Sequence, residues 1–88
     1  MFRMWGKVFK NNKMKWDYVF ENDSTSLSRT KKVFSGLEEI CHKYDLSVPI
    51  WLESNINEFK RVDKTRFTSD NFIDPIEFDY LEIHVIEE

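Results

Sequence analysis

The stretch SRTKKVFSGLEEICHKY, residues 28 to 44, has the spacing of an amphipathic α-helix and decides how the rest of the chain can fold. At about 100° per residue, its apolar side chains fall within a sector about 120° wide, which is the width that faces a core. This stripe consists of Thr30, Val33, Phe34, Leu37, Ile40, Cys41 and Tyr44. Because charged residues occupy the opposite side, we expect one helix over Ser28–Tyr44 that covers one face of a sheet.

Two strands are predicted ahead of this helix, over Phe2–Lys10 and Met14–Glu21, because both segments alternate and are rich in aromatic residues. Asn11-Asn12-Lys13 joins them, and asparagine tolerates the left-handed conformation that a tight hairpin needs. The two segments therefore predict a β-hairpin.

The register of this hairpin depends on the length of its loop. A two-residue turn would set Val8 beside Lys15 and mix the faces, whereas a three-residue loop pairs Val8 with Trp16 and keeps one face apolar. We therefore predict the three-residue loop, which pairs Gly6 with Tyr18. Gly6 then lies beneath the helix, where its missing side chain lets the two backbones approach.

A short second helix and a third strand are predicted after the main helix. Asn55 with Glu58 three residues later resembles a capping box, and apolar residues follow at helical spacing, so we expect a helix over Asn55–Val62. Residues 63–75 show no clear period. Tyr80–Ile86 alternates cleanly and is predicted to be a strand.

Together these elements predict a single α+β domain over residues 1–88, with the order ββα(α)β and a three-stranded antiparallel sheet. A right-handed crossover carries the last strand to the free side of the first strand, which gives the strand order 2-1-3. This order sets Arg3, Lys7 and Lys10 beside the acidic residues of the last strand. The main helix is expected to pack on one face of the sheet.

The charges are unevenly distributed along the chain, whose formal net charge is −3. All 13 Lys and Arg residues lie within residues 1–66, whereas residues 67–88 contain seven Asp and Glu residues and no Lys or Arg. We favour the interpretation that an acidic last strand lies beside a basic first strand, because opposite charges across a strand pair stabilise it. The alternative is that the two signs form separate binding surfaces.

The composition predicts a cytoplasmic protein without a membrane segment. No apolar run approaches the roughly 18–20 residues of a membrane span, and Arg3, Lys7 and Lys10 interrupt the apolar segment that a signal peptide would need. The single cysteine, Cys41, cannot form an internal disulfide, which favours a reducing compartment.

No catalytic residue, metal ligand or cofactor site is predicted, so we do not expect an enzyme. Cys41 and His42 are the only nucleophile and base close in sequence, but on a helix they point about 100° apart. With His84 they match no zinc spacing, and Cys41 is expected to be a core thiol. The two glycines, Gly6 and Gly36, cannot form a phosphate-binding loop.

Two groups of basic residues are candidates for binding an anion or a nucleic acid. The first lies in the first turn of the main helix, where free backbone amides also attract phosphate. The second is interleaved with Phe59 and Phe67, a pattern that suits single-stranded nucleic acid. The candidates are Arg29, Lys31 and Lys32 in the first group and Lys60, Arg61, Lys64 and Arg66 in the second. Such runs are also commonly no more than solvated surface.

The sheet face away from the helix is predicted to be too apolar to remain in water. Its candidate interface residues are Trp5, Phe9, Val19, Tyr80, His84 and Ile86. A contiguous apolar patch of several hundred Å² usually marks an interaction site. Either residues 46–76 wrap over this face, with Trp51 and Phe72 as contacts, or a second molecule covers it. We predict a homodimer, formed face to face or through an edge strand.

Five motifs in the chain resemble those of a family of short uncharacterised bacterial proteins. These motifs are Met4-Trp5-Gly6-Lys7, Arg29-Thr30-Lys31-Lys32-Val33-Phe34, Pro49-Ile50-Trp51-Leu52, Glu58-Phe59-Lys60-Arg61 and Phe78-Asp79-Tyr80-Leu81-Glu82-Ile83. The resemblance covers most of the chain and implies a bacterial cytoplasmic protein, but it implies no activity and no functional residues.

The leading hypothesis for function is a non-catalytic binding or protein-interaction module. It is motivated by the missing catalytic constellation and by the aromatic surface. The alternative is a nucleic-acid or phosphate-ligand binder that uses the basic groups at 29–32 and 60–66.

Overall fold

Two helices pack on one face of a four-stranded antiparallel sheet in the computed structural model, which describes residues 1–88. The strands are β1 (Phe2–Lys10), β2 (Lys13–Asn22), β3 (Lys64–Phe67) and β4 (Tyr80–Glu87), and the helices are α1 (Arg29–Lys43) and α2 (Glu53–Val62). The strand order is β2-β1-β4-β3. The α+β class is confirmed, but the predicted count of three strands is wrong, because β3 adds a fourth at the edge beside β4.

The hairpin between β1 and β2 has the predicted register but a shorter turn. Gly6 pairs with Tyr18 and Val8 pairs with Trp16, as expected. The turn itself contains only Asn11 and Asn12, both with positive φ, as a two-residue hairpin turn requires. The register survives because a β-bulge follows Val8, which leaves one extra residue in β2. The predicted three-residue loop is therefore wrong.

Helix α1 matches the prediction except at two positions of its stripe. Ser28 is the N-cap, and its hydroxyl accepts a hydrogen bond from the backbone N–H of Lys31 at 3.2 Å. The buried residues are Val33, Gly36, Leu37, Ile40 and Cys41. The predicted core positions of Thr30 and Phe34 are wrong, because both residues are exposed and line a groove between α1 and α2, where the Phe34 ring centroid lies 5.9 Å from that of Trp51.

Helix α2 begins two residues earlier than predicted, because Asn55 is not its cap. Asn55 is the third helical residue and is buried. Its amide donates to Thr65 Oγ1 and to the carbonyl of Arg66, both at 2.9 Å. Its oxygen accepts from the backbone N–H of Leu52 and from the amide of Asn71. The side chain therefore joins α2, β3 and the turn at Ser69–Asn71.

Trp51 and Phe72, in the segment between α1 and β4, pack on the helix side of the sheet. The ring of Trp51 contacts Phe59 and Phe67 at centroid distances of 5.4 and 5.1 Å, and Phe67 belongs to the core. Phe72 is buried against Phe78, with the ring centroids 6.0 Å apart. The alternative in which residues 46–76 wrap over the opposite face is therefore wrong, and that face carries no helix.

Neither helix has the length and apolar character needed to cross a membrane.

Candidate functional site

The face of the sheet opposite the helices, here called the outer face, carries side chains from all four strands in regular rows. Strand register defines these rows, because partners across an antiparallel pair point to the same side. From β2 through β1 and β4 towards β3, the rows are Glu21–Arg3–Glu87, Val19–Trp5–His84–Lys64, Asp17–Lys7–Glu82–Arg66 and Met14–Phe9–Tyr80. Two rows with aromatic residues thus flank the row Asp17–Lys7–Glu82–Arg66, here called the charged row.

Glu82 is the centre of the charged row. Its carboxylate contacts Lys7 Nζ at 2.9 Å and Arg66 Nε at 3.1 Å. Burial is the largest single effect and opposes ionisation of Glu82, but the hydrogen bonds and the positive charges of Lys7 and Arg66 together outweigh it and hold the pKa of Glu82 below its ordinary value. The hydrogen bond to Glu82 also raises the pKa of Arg66. The charges of this row are therefore held in fixed positions.

The aromatic side chains of the outer face are held by the same charged groups. Trp5 Nε1 donates to Asp17 Oδ2 at 2.9 Å, and Lys7 Nζ lies 4.1 Å from the centre of the Trp5 ring. Such cation–π contacts are worth about 0.5–1 kcal/mol at exposed sites. These contacts fix the orientation of the Trp5 ring.

A second aromatic pair lies on the other side of the charged row. Phe9 and Tyr80 stack with their ring centroids 5.0 Å apart and an interplanar angle of 21°. Arg66 Cζ lies 4.5 Å from the centre of the Tyr80 ring. A surface whose rings are already ordered loses little conformational entropy on binding.

Five of the six predicted interface residues lie in these rows. Trp5, Phe9, Tyr80 and His84 are partly exposed on the two central strands, and Val19 is exposed on β2. Ile86 is exposed at a bulge near the end of β4 and has no partner across the strands. Burial, with Lys7 and Lys64 nearby, lowers the pKa of His84.

Opposite charges balance on the outer face. The cations are Arg3, Lys7, Lys64 and Arg66, and the anions are Asp17, Glu21, Glu82 and Glu87. Arg3 forms an ion pair with Glu87 at 2.9 Å, so the predicted pairing of the basic first strand with the acidic last strand is confirmed there and at Lys7. A surface with no excess of cations has no electrostatic preference for phosphate.

The seven predicted anion-binding residues do not form one surface. Arg29 and Lys60, one from each group, line a groove of about 310 Å³ between α1 and α2. The guanidinium of Arg29 already pairs with Asp63 at 2.7 Å and with Glu88 at 2.6 Å. Most of the remaining lining is apolar and includes Trp51.

The other five basic residues are dispersed. Arg61 and Arg66 line a polar depression of about 450 Å³ beside α2, and Lys64 lies on the outer face. Lys31 is exposed, and Lys32 Nζ lies 5.9 Å from the centre of the Phe2 ring.

Cys41 and His42 lie in different environments. Cys41 is fully buried, and burial raises the pKa of its thiol to about 12, whereas His42 is exposed. Cys41 is thus the core thiol that the sequence predicted. The structure contains no group of three or more His, Cys, Asp or Glu side chains arranged to hold a metal ion.

Comparison with protein-family models, with curated proteins and with solved structures gives no match for this chain.

Sequence reasoning missed the contribution of β3 to the outer face. The sequence places Lys64 and Arg66 in a basic group, whereas in the structure Arg66 pairs with Glu82. The signal was weak, since Lys64-Thr65-Arg66-Phe67 alternates charged and uncharged residues over only four positions. Four residues are too few to separate a strand from a loop by period alone.

Proposed function

We propose that this chain is a non-catalytic protein-interaction module, that its binding surface is the outer face of the sheet, and that it works as a homodimer. One observation carries the proposal: both helices pack on the same side, while the opposite side presents Trp5, Phe9 and Tyr80 with no covering segment. Antiparallel sheets with one wet side ordinarily place polar residues there, so aromatic residues on both central strands favour a partner.

The composition of this surface supports a protein partner. Aromatic residues and arginine are enriched in protein interfaces, and the outer face combines the Trp5 and Tyr80 rings with the Arg66 guanidinium. Because cations and anions balance on the outer face, its charge does not support nucleic acid as the partner. The alternative based on the basic groups also receives less support, because Arg29 and Arg66 are both engaged by carboxylates.

Bacterial origin, cytoplasmic location and membership of the family of short bacterial proteins stay predictions from the sequence.

The test compares two substitutions of exposed apolar residues by glutamate. Trp5→Glu places a charge in the outer face, whereas Ile73→Glu replaces a residue that is 85% exposed in the segment between the 3₁₀ turn and β4. We expect Trp5→Glu to sediment as a monomer at concentrations where the unmodified chain and Ile73→Glu sediment as dimers. Circular dichroism of both variants checks that the fold is retained. Equal sedimentation of all three chains would contradict the proposal.

A further inference from the structure

The charged row of the outer face has a charge pattern that favours one kind of binding partner. Across the sheet it reads Asp17, Lys7, Glu82 and Arg66, so that anions and cations alternate. The midpoint of this row lies between β1 and β4. If a second copy of the row is rotated by 180° about this midpoint and placed on the first, each cation faces an anion. We infer that the occupant is a second copy of this chain, packed face to face about a two-fold axis parallel to the strands.

This inference rests on the proposed homodimer and specifies its symmetry axis and the residues that meet across it. The rotation places Lys7 opposite the partner's Glu82, and Asp17 opposite the partner's Arg66. Both contacts occur twice in the dimer, as in any isologous interface. Each subunit therefore extends the ion pairs that the other has already formed.

The neighbouring rows follow the same rotation. Trp5 meets the partner's His84, and Phe9 meets the partner's Tyr80. Arg3 at the end of the sheet meets the partner's Glu87. Twisted sheets that pack face to face cross at about 30°, so these oppositions are closest near the axis and loosen towards the edges. The contacts next to the axis are those of β1 and β4, where most of the aromatic residues lie.

The other in-plane axis gives a repulsive dimer. A two-fold axis perpendicular to the strands along the charged row would stack each of its residues on the same residue of the partner. Lys7 would face the partner's Lys7, and Glu82 would face the partner's Glu82. Like charges in contact across a desolvated interface are strongly unfavourable, so the charge pattern selects the axis parallel to the strands.

Dehydration of the central charges does not oppose this packing strongly. The side chains of Lys7 and Glu82 are already only 13% and 9% exposed in the single chain. Most of the cost of removing these charges from water therefore belongs to folding and not to association.

The size of the face favours a weak dimer. Strand spacing and rise give a face of roughly 20 by 23 Å, which lies at the lower end of specific interfaces. A micromolar dissociation constant, about 1–100 μM, is expected for such an area.

Cross-linking of variants that each carry one added surface cysteine tests the geometry. Val19→Cys and Lys64→Cys lie in the same row at opposite edges of the sheet, and the proposed axis brings them together between subunits. Met14→Cys serves as the matched control, because the perpendicular axis would place Val19 opposite the partner's Met14. Each mixture of two variants is treated with a short bis-maleimide, and the mixed product is identified by mass. Cys41 does not compete, because it is fully buried.

We expect the Val19→Cys and Lys64→Cys mixture to give at least about tenfold more mixed product than the Val19→Cys and Met14→Cys mixture. An excess in the second mixture would overturn the inferred axis but leave the face-to-face module intact. No mixed product in either mixture, with chains that sediment as dimers, would show association through another surface such as the free edge of β2. Dimers without mixed product would therefore overturn both the inferred axis and the proposed binding surface. Chains that sediment as monomers would overturn both as well.

A pair of charge variants gives an independent readout without cross-linking. Val19 has Asp17 and Glu21 as neighbours on its own strand, so Val19→Lys gains attraction within the chain and Val19→Glu gains repulsion. Across the proposed interface the two variants behave in the opposite way, because position 19 faces the partner's Lys64. Lysine at position 19 is repelled there, and glutamate is attracted. We expect the dissociation constant of Val19→Lys to exceed that of Val19→Glu by about tenfold, since the contact occurs twice. Equal dissociation constants, or the reverse order, would overturn the inferred axis.

Discussion

Gly6 lies directly beneath Ile40: a Cβ atom built on Gly6 would be 2.7 Å from Ile40 Cγ2 and 2.9 Å from Ile40 Cδ1. This contact sets the distance between β1 and α1 at the centre of the core. Gly6 therefore lies beneath the helix, as the sequence predicted, but the Ile40 side chain and not the helix backbone fills the space above it.

The first prediction concerns this contact. Gly6→Ala should lower the free energy of unfolding by about 1–3 kcal/mol, because the added methyl group overpacks the core against Ile40. Urea denaturation measures the effect. On an Ile40→Ala background the same substitution should cost much less, because the clashing side-chain atoms are gone. An equal cost on both backgrounds would show that the Gly6–Ile40 contact does not set the helix position.

The second prediction concerns the buried amide of Asn55. Asn55→Ala removes hydrogen bonds to Thr65 and Arg66 and leaves the Asn71 amide without one of its acceptors. We expect a loss of about 2–4 kcal/mol in the free energy of unfolding, since buried polar groups lose their partners. Asn57→Ala, an exposed position on the same helix, should stay within about 0.5 kcal/mol of the unmodified chain. Similar losses for the two variants would contradict the network.

The third prediction concerns pH. The pKa of Glu82 in the folded chain lies below its ordinary value of 4.5, so the ionised carboxylate stabilises the fold. This stabilisation is complete above the unfolded pKa and is lost as pH falls through the folded pKa. Glu82→Gln should therefore be less stable than the unmodified chain at pH 7, and the difference should shrink below about pH 4.5. Urea denaturation at several pH values measures it. If the free energies of unfolding of Glu82→Gln and the unmodified chain differed by the same amount at every pH, the ionised Glu82 carboxylate would not be the source of the stability.

The fourth prediction concerns the reactivity of Cys41. Its thiol is buried, and its pKa is raised to about 12, so it should not react with Ellman's reagent at pH 8 while the chain is folded. In urea, one thiol per chain should react rapidly. Fast labelling of the folded chain would show that the core beneath α1 opens readily.

The periodic parts of the fold were predictable because their patterns are long. Helix α1 and strands β1, β2 and β4 are each eight residues or longer, so period and parity place most of their side chains correctly, with Thr30 and Phe34 of α1 as exceptions. The alternation of side chains along the strands also predicted which residues lie on most of the outer face, including Trp5 and Tyr80. The order of β2, β1 and β4 followed from the handedness of the crossover.

The remaining parts depend on contacts between distant residues. Strand β3 has four residues and is held by β4 and by the amide of Asn55, which no local pattern indicates. The bulge after Val8 allows a two-residue turn in the register that the sequence predicts for a three-residue loop. Without β3, the pairing of Arg66 with Glu82 could not be predicted, and the alternation of the charged row was hidden.

The mass of the unmodified chain in solution tests the central claim most directly. Sedimentation equilibrium from low to high micromolar concentration, at physiological salt and neutral pH, should show a shift from the chain mass of 10.7 kDa to twice that value. The shift should be absent from Trp5→Glu over the same range. A mass that stays at 10.7 kDa up to high micromolar concentration would contradict self-association through the outer face.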